Sequence, residues 1–275
     1  IAASAEGVVT AADGGVYVVG QNNGTIVLDQ TYTASENGYG YVVRLDADGV
    51  PTWSTTVTPE PGGPLAVARR GDDELVLVGT ANGGNDLYTA VVDLISGDVA
   101  ARLESQTGTP TTTWLDVAVA PDGRFYAVGR FDGVAFGLSA VGGSDGLLVQ
   151  FTADGNPNGA VAHSSSGADA TESIVVRETD LLVFGSVSGP VTFDGVLQES
   201  QGADMFWAQY TLDMNFVAAD IIQQGGAQYG HAMAAFGSST CLGGFTSNPL
   251  DFGGVMIETG PGEGFVACID APAPP

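Results

Sequence analysis

Acid–base, metal and covalent chemistry each need particular side chains at particular spacings, and this chain offers few of them. Its two histidines, His163 and His231, lie outside any H-x-x-x-H or G-x-S-x-G motif, so neither brings a local partner for base or ligand work. All seven basic residues are arginine. Without lysine, Schiff-base and P-loop chemistry are excluded. The string Asp154-Gly-Asn156-Pro-Asn158-Gly159 matches the opening of a calcium loop, in which oxygen ligands at alternate positions surround a hard cation. The bidentate Glu of such a loop would fall at Ser165, and a plain β-turn accounts for the string equally well. Asp154, Asn156 and Asn158 are therefore the calcium candidates, calcium is the one cofactor suggested, and no catalytic residue is nominated.

Cys241 and Cys268 are the only cysteines. Two thiols without a CxxC motif do not make a structural zinc site, whereas one disulfide suits a secreted or cell-surface protein. Aligned by repeat, Cys241 falls with Val18, Ala127 and Val183 on a second strand, and Cys268 with Arg44, Gln150 and Gln209 on a third. Those strands are expected to be antiparallel neighbours, which puts the sulfurs within bridging reach. Trp53, Trp114 and Trp207 could stack on sugar rings, but Trp207 aligns with Val42, Leu148 and Val266, which marks a core position.

The elements that position these residues are short strands. Forty-one glycines and thirteen prolines point to many turns, and 44% hydrophobic residues supply a core. A net charge of −25 disfavours nucleic acid and anionic membrane partners, and no apolar run is long enough to insert into a bilayer.

Self-similarity organises the chain. Short apolar runs end at Gly20, Gly79, Gly129, Gly185 and Gly243. Asp86, Asp145, Asp204 and Glu263 stand at a constant interval of 59 residues, each opening an extended run such as Met205-Phe-Trp-Ala-Gln-Tyr210. Every repeat except the second adds a small hairpin between these two marks. Asp-Gly at residues 122–123 and 154–155 supplies tight turns. A four-stranded unit of roughly 40–60 residues, unable to bury its faces alone, predicts a β-propeller. The expectation is an all-β, single-domain, five-bladed propeller with about four strands per blade. Its repeats run 1–58, 59–112, 113–167, 168–226 and 227–270, followed by a Pro-rich tail at 271–275. The N-terminal stub Ile1–Ser4 is expected to close the ring beside Phe265–Ile269; otherwise the last blade keeps an open edge that accepts a strand from another chain.

Asp13-Gly-Gly-Val-Tyr-Val-Val-Gly20, then Tyr41-Val-Val-Arg-Leu-Asp-Ala-Asp-Gly49 and Trp53-Ser-Thr55, resemble the bacterial β-propeller repeat family abbreviated SBBP. The resemblance extends over nearly the whole chain, although the closing Trp-Ser-Thr occurs only in the first repeat. It implies a propeller fold in a secreted or cell-surface setting and transfers no catalytic motif.

Three functional classes follow. The first is a non-catalytic structural or adhesive module, mediating protein interaction or self-assembly through the propeller rim. The second is a lectin-like glycan binder, and the third a hydrolase with its site at the propeller axis. Repeated sugar pockets need matching loops, but the residues after Gly20, Gly79, Gly129 and Gly185 read Gln-Asn-Asn, Thr-Ala-Asn, Arg-Phe-Asp and Ser-Val-Ser. The sequence therefore favours the first class, with no enzyme activity.

Overall fold

Glycine at the third position of each tight turn sets the repeating strand architecture. At Gly123 and Gly155 the backbone takes φ of 86° and 77°, a left-handed conformation that costs glycine little. The flanking N–H groups of Ala120 and Thr152 then reach the carbonyls of Arg124 and Asn156, each closing a hairpin. A computed structural model describes residues 2–27, 31–33, 39–57, 62–82, 86–105, 112–223, 226–236, 239–251, 256–257 and 262–270. Those residues form antiparallel sheets with no α-helix among them.

The first sheet joins β1 (Ala2–Thr10), β2 (Val16–Asn23), β5 (Tyr39–Leu45) and β6 (Pro51–Thr56), with β3 (Thr25–Val27) and β4 (Thr31–Thr33) as a side hairpin. The second joins β7 (Gly62–Arg70), β8 (Glu74–Ala81), β9 (Asp86–Asp93) and β10 (Val99–Ser105). The third has β11 (Thr113–Val119), β12 (Phe125–Phe131), β15 (Asp145–Phe151) and β16 (Pro157–His163), with the hairpin β13 (Val134–Ala135) and β14 (Leu138–Ser139). The fourth has β17 (Ala170–Val176), β18 (Asp180–Val187), β21 (Asp204–Thr211) and β22 (Phe216–Ile222), with β19 (Val191–Phe193) and β20 (Val196–Gln198). The fifth has only β23 (Gln228–Phe236), β24 (Ser239–Thr246) and β27 (Glu263–Asp270), beside the hairpin β25 (Leu250–Asp251) and β26 (Met256–Ile257).

Contacts divide the chain into two compact units, Ile1–Ala127 with Phe151–Asn158, and Val128–Gln150 with Gly159–Pro275. In the first, Val19, Val42, Leu75, Leu77 and Tyr88 form a core of side chains drawn from the first two sheets. In the second, Phe184, Met205, Met233, Leu242 and Phe265 join the fourth and fifth sheets. Strands covered on both faces carry apolar residues at consecutive positions, as at Leu181–Phe184, where all four are buried.

The acidic marks are pins for the loops ahead of them. Asp145, fully buried, accepts hydrogen bonds from the Val141 N–H at 2.8 Å and the Ser164 hydroxyl at 2.6 Å. Asp204 accepts from the Ser200 hydroxyl at 2.7 Å and the Gln201 N–H at 3.0 Å, and Asp86 from the Asn82 side-chain amide. Each carboxylate satisfies donors that the turn would otherwise leave bare.

Two expectations are corrected. The stub does not pair beside Phe265–Ile269: Ala2, Ala3 and Ser4 oppose Asn23, Asn22 and Gln21, in the antiparallel ladder that continues to Thr10. The stub is thus the start of the first strand, and among the described residues β27 pairs with β24 alone. In the fifth repeat, Gly244 rather than Gly243 corresponds to Gly20, Gly79 and Gly185, because Gly244 faces Gly230 where those face Ala5, Pro64 and Thr171. A Cβ at Gly20, Gly79, Gly185 or Gly244 would collide with a carbonyl oxygen of the opposing first strand. The glycine is kept by that close approach. The Pro-rich tail lies outside the described residues.

Candidate functional site

The same close approach belongs to a bulge. In four sheets the first strand carries one extra residue against the second, between Ala5 and Gly7, Pro64 and Ala66, Thr171 and Ser173, and Gly230 and Ala232. The residues set out of register are Glu6, Leu65, Glu172 and His231. A bulge re-aims a side chain away from the pleat and is common beside active sites.

Two of these residues meet in the second unit. Strands β17 and β23 are neighbours, tied where the Met233 N–H donates to the Ser173 hydroxyl at 3.0 Å. Each partner in that bond is one or two residues from a bulge, so Glu172 and His231 come into electrostatic contact. Arg130, exposed near the end of β12, acts on the same carboxyl. Burial raises the Glu172 carboxyl above the usual carboxylate range, and His231 and Arg130 pull it part of the way back. A half-buried carboxyl that holds its proton unusually well, beside a solvent-facing imidazole and a guanidinium, can donate a proton, relay one and steady a negative charge.

His163 does none of this. Its ring is 1% exposed, bonded at Nδ1 to the Thr171 hydroxyl and at Nε2 to the Tyr210 hydroxyl, both at 2.8 Å. It packs 5.0 Å from the Phe206 ring, and burial lowers its pKa to about 3. It is a neutral core residue. Trp114 is fully buried edge-on to Phe151, and Trp53 and Trp207 pack against cores, so no indole platform forms among them.

Asp154 and Asn156 sit on the exposed hairpin turn between β15 and β16, and Asn158 is already in β16. The Thr152–Asn156 closure makes this a tight turn, and no group of three or more His, Cys, Asp or Glu side chains suited to a metal occurs among the described residues. Cys241 and Cys268 are directly opposed on β24 and β27 and joined by a disulfide. With Gly244 as the anchor, Cys241 corresponds to Leu182, which faces Gln209, rather than to Val183. Sequence reading found His231 but missed Glu172 and Arg130. The only sequence signal for Glu172 was its place ahead of the repeat glycine, and that place is not constant, holding Glu6, Leu65, Glu172 and His231 in four repeats.

No protein-family profile and no curated sequence matches the chain. Solved structures do. A GH43 β-1,3-galactosidase aligns at 11% identity over 96% of this chain and 56% of its own, with a TM-score of 0.48. An exo-β-1,3-galactanase from Clostridium thermocellum aligns at 14% over 89% and 55%, TM-score 0.47. An α-L-arabinofuranosidase from the same organism aligns at 12% over 89% and 82%, TM-score 0.41. The chain spans just over half the length of the first two. These structures are glycoside hydrolases, and with that finding the expectations of a non-catalytic structural or adhesive module, and of no enzyme activity, are withdrawn.

Proposed function

We propose that the repeated sheets are the blades of a five-bladed β-propeller, and that the chain is a secreted hydrolase with an acid–base centre at Glu172, His231 and Arg130. The observation that carries this reading is the raised Glu172 carboxyl on a bulged first strand, with His231 and Arg130 acting on it. The Cys241–Cys268 disulfide suits export, since such bonds persist in oxidising compartments.

Glycosides are the substrate class that fits best, because departure of a sugar alkoxide calls for a protonated carboxyl at the leaving oxygen. In that step the Glu172 proton passes to the glycosidic oxygen as its bond to the anomeric carbon breaks. Water adds to that carbon and gives its proton to His231. Arg130 holds the Glu172 carboxylate left behind until the proton returns.

The test is a panel of aryl glycosides and aryl esters offered to the wild-type protein and to Glu172→Gln. Glycoside hydrolysis that falls about 10²- to 10⁴-fold in the variant, with folding unchanged, is the expected result. A wild-type protein inactive across the panel, or a variant as active as wild type, ends the reading.

A further inference from the structure

A second place has the form of a small-molecule site and lies wholly within the first unit. It is a cleft of about 460 Å³ lined by Arg70, Glu74, Ala90, Ala101, Phe125 and Asp154, among others. That volume falls within the roughly 300–1,000 Å³ typical of ligand pockets.

Arg70 organises it. Its Nε donates to Glu74 Oε2 at 2.7 Å, and its Nη1 donates to the Ala153 carbonyl at 2.6 Å and the Gly123 carbonyl at 3.4 Å. These bonds span β7 and two turns of the third sheet, so the guanidinium plane is held rigidly. Its Nη2 makes no hydrogen bond among the described residues and remains a pre-set donor at the wall of the cleft. Glu74 neutralises the arginine, which leaves the exposed Asp154 as the unbalanced charge, one residue from the carbonyl that Arg70 grips. Ala90 and Phe125 are buried apolar surface, and the short side chains of Ala90 and Ala101 leave the space open. The cleft therefore combines one anion, one fixed donor and an apolar wall, in a chain whose net charge of −25 draws cations toward it.

We propose that this cleft binds the amino-terminal residue of a peptide. The α-ammonium pairs with Asp154, the first carbonyl oxygen accepts from Arg70 Nη2, and an aliphatic side chain lies against Ala90 and Phe125. The three ligand groups are adjacent on one residue, as the three protein groups are in one cleft.

Leucinamide is the probe, titrated into the full chain and followed by calorimetry and by amide shifts around residues 153–155. Binding on the order of 1 mM suits a ligand of this size. N-acetyl-leucinamide, which lacks the cation, is expected to bind at least about tenfold more weakly, and Asp154→Asn to lose leucinamide binding by a similar factor. Asp154 is on an exposed turn, so that variant is expected to fold normally. Glu172→Gln is expected to leave binding unchanged, which separates this site from the acid–base centre. No binding of leucinamide, equal binding of the acetylated probe, or an unaffected Asp154→Asn variant would show that Arg70 is a structural tie alone, and would overturn the proposal.

Discussion

The fourth and fifth sheets carry the same strand motif and bury it very differently. In the fourth, β21 has Phe206, Ala208 and Tyr210 on one face, covered in part by the buried ring of His163, while Trp207 on the other packs against the core shared with the fifth sheet. In the fifth, Phe265 takes the place of Phe206, opposite the repeat glycine, and is buried. Val266, in the place of Trp207, is 77% exposed. The repeat thus encodes a sheet, and its neighbours decide how much of that sheet is core. On the strand where Val266 is exposed, a cross-strand disulfide holds the last two strands together.

The comparison can be broken most sharply at the paired phenyl rings. Phe206→Ala is expected to cost about 3–5 kcal/mol in urea unfolding, because a fully buried ring leaves a cavity in well-packed surroundings. Removing the disulfide by Cys241→Ala with Cys268→Ala is expected to cost about 3 kcal/mol, through the loop its 27-residue separation closes. Exchange of the β24 and β27 amides should then quicken ahead of those in β18 and β21.

Acid sharpens the comparison from the fourth sheet's side. Folded His163 stays neutral down to about pH 3, whereas the unfolded imidazole takes up a proton near pH 6.5. Below that point the unfolded chain binds more protons, so stability falls with pH, by roughly 3 kcal/mol between pH 7 and pH 4. In His163→Gln this increment of acid sensitivity should be absent, while the disulfide double variant keeps it. Val266→Ala is the smallest change: below about 0.5 kcal/mol, since little surface leaves water at that site. A cost near that of Phe206→Ala would mean that Val266 is covered in solution, and the contrast between the sheets would disappear.

Much of the architecture was legible because it depends on local chemistry. Asp-Gly turns, consecutive apolar runs and the acidic residues Asp86, Asp145 and Asp204 each report a requirement of their own backbone. The repeat glycines were found but misassigned by one residue at Gly243, since the reason for the glycine, a carbonyl on the facing strand, is not written near it. The stub was misread because Ala2–Ser4 carries no strand signature of its own and pairs through its backbone. Glu172, His231 and Arg130 come from three strands, and no spacing in the sequence announces their meeting. The calcium string Asp154–Asn158 is half of a motif, and the part of it legible in the structure is its tight turn.

The bulged first strands have one further consequence. The glycine opposite each bulge absorbs the steric demand, so the sheet itself does not dictate the type of the extra residue, and glutamate, leucine and histidine all occupy the position. Four of the repeats therefore carry a socket whose occupant can be exchanged without disturbing the scaffold. A library varied at residues 6, 65, 172 and 231 alone would sample new chemistries on one unchanged frame.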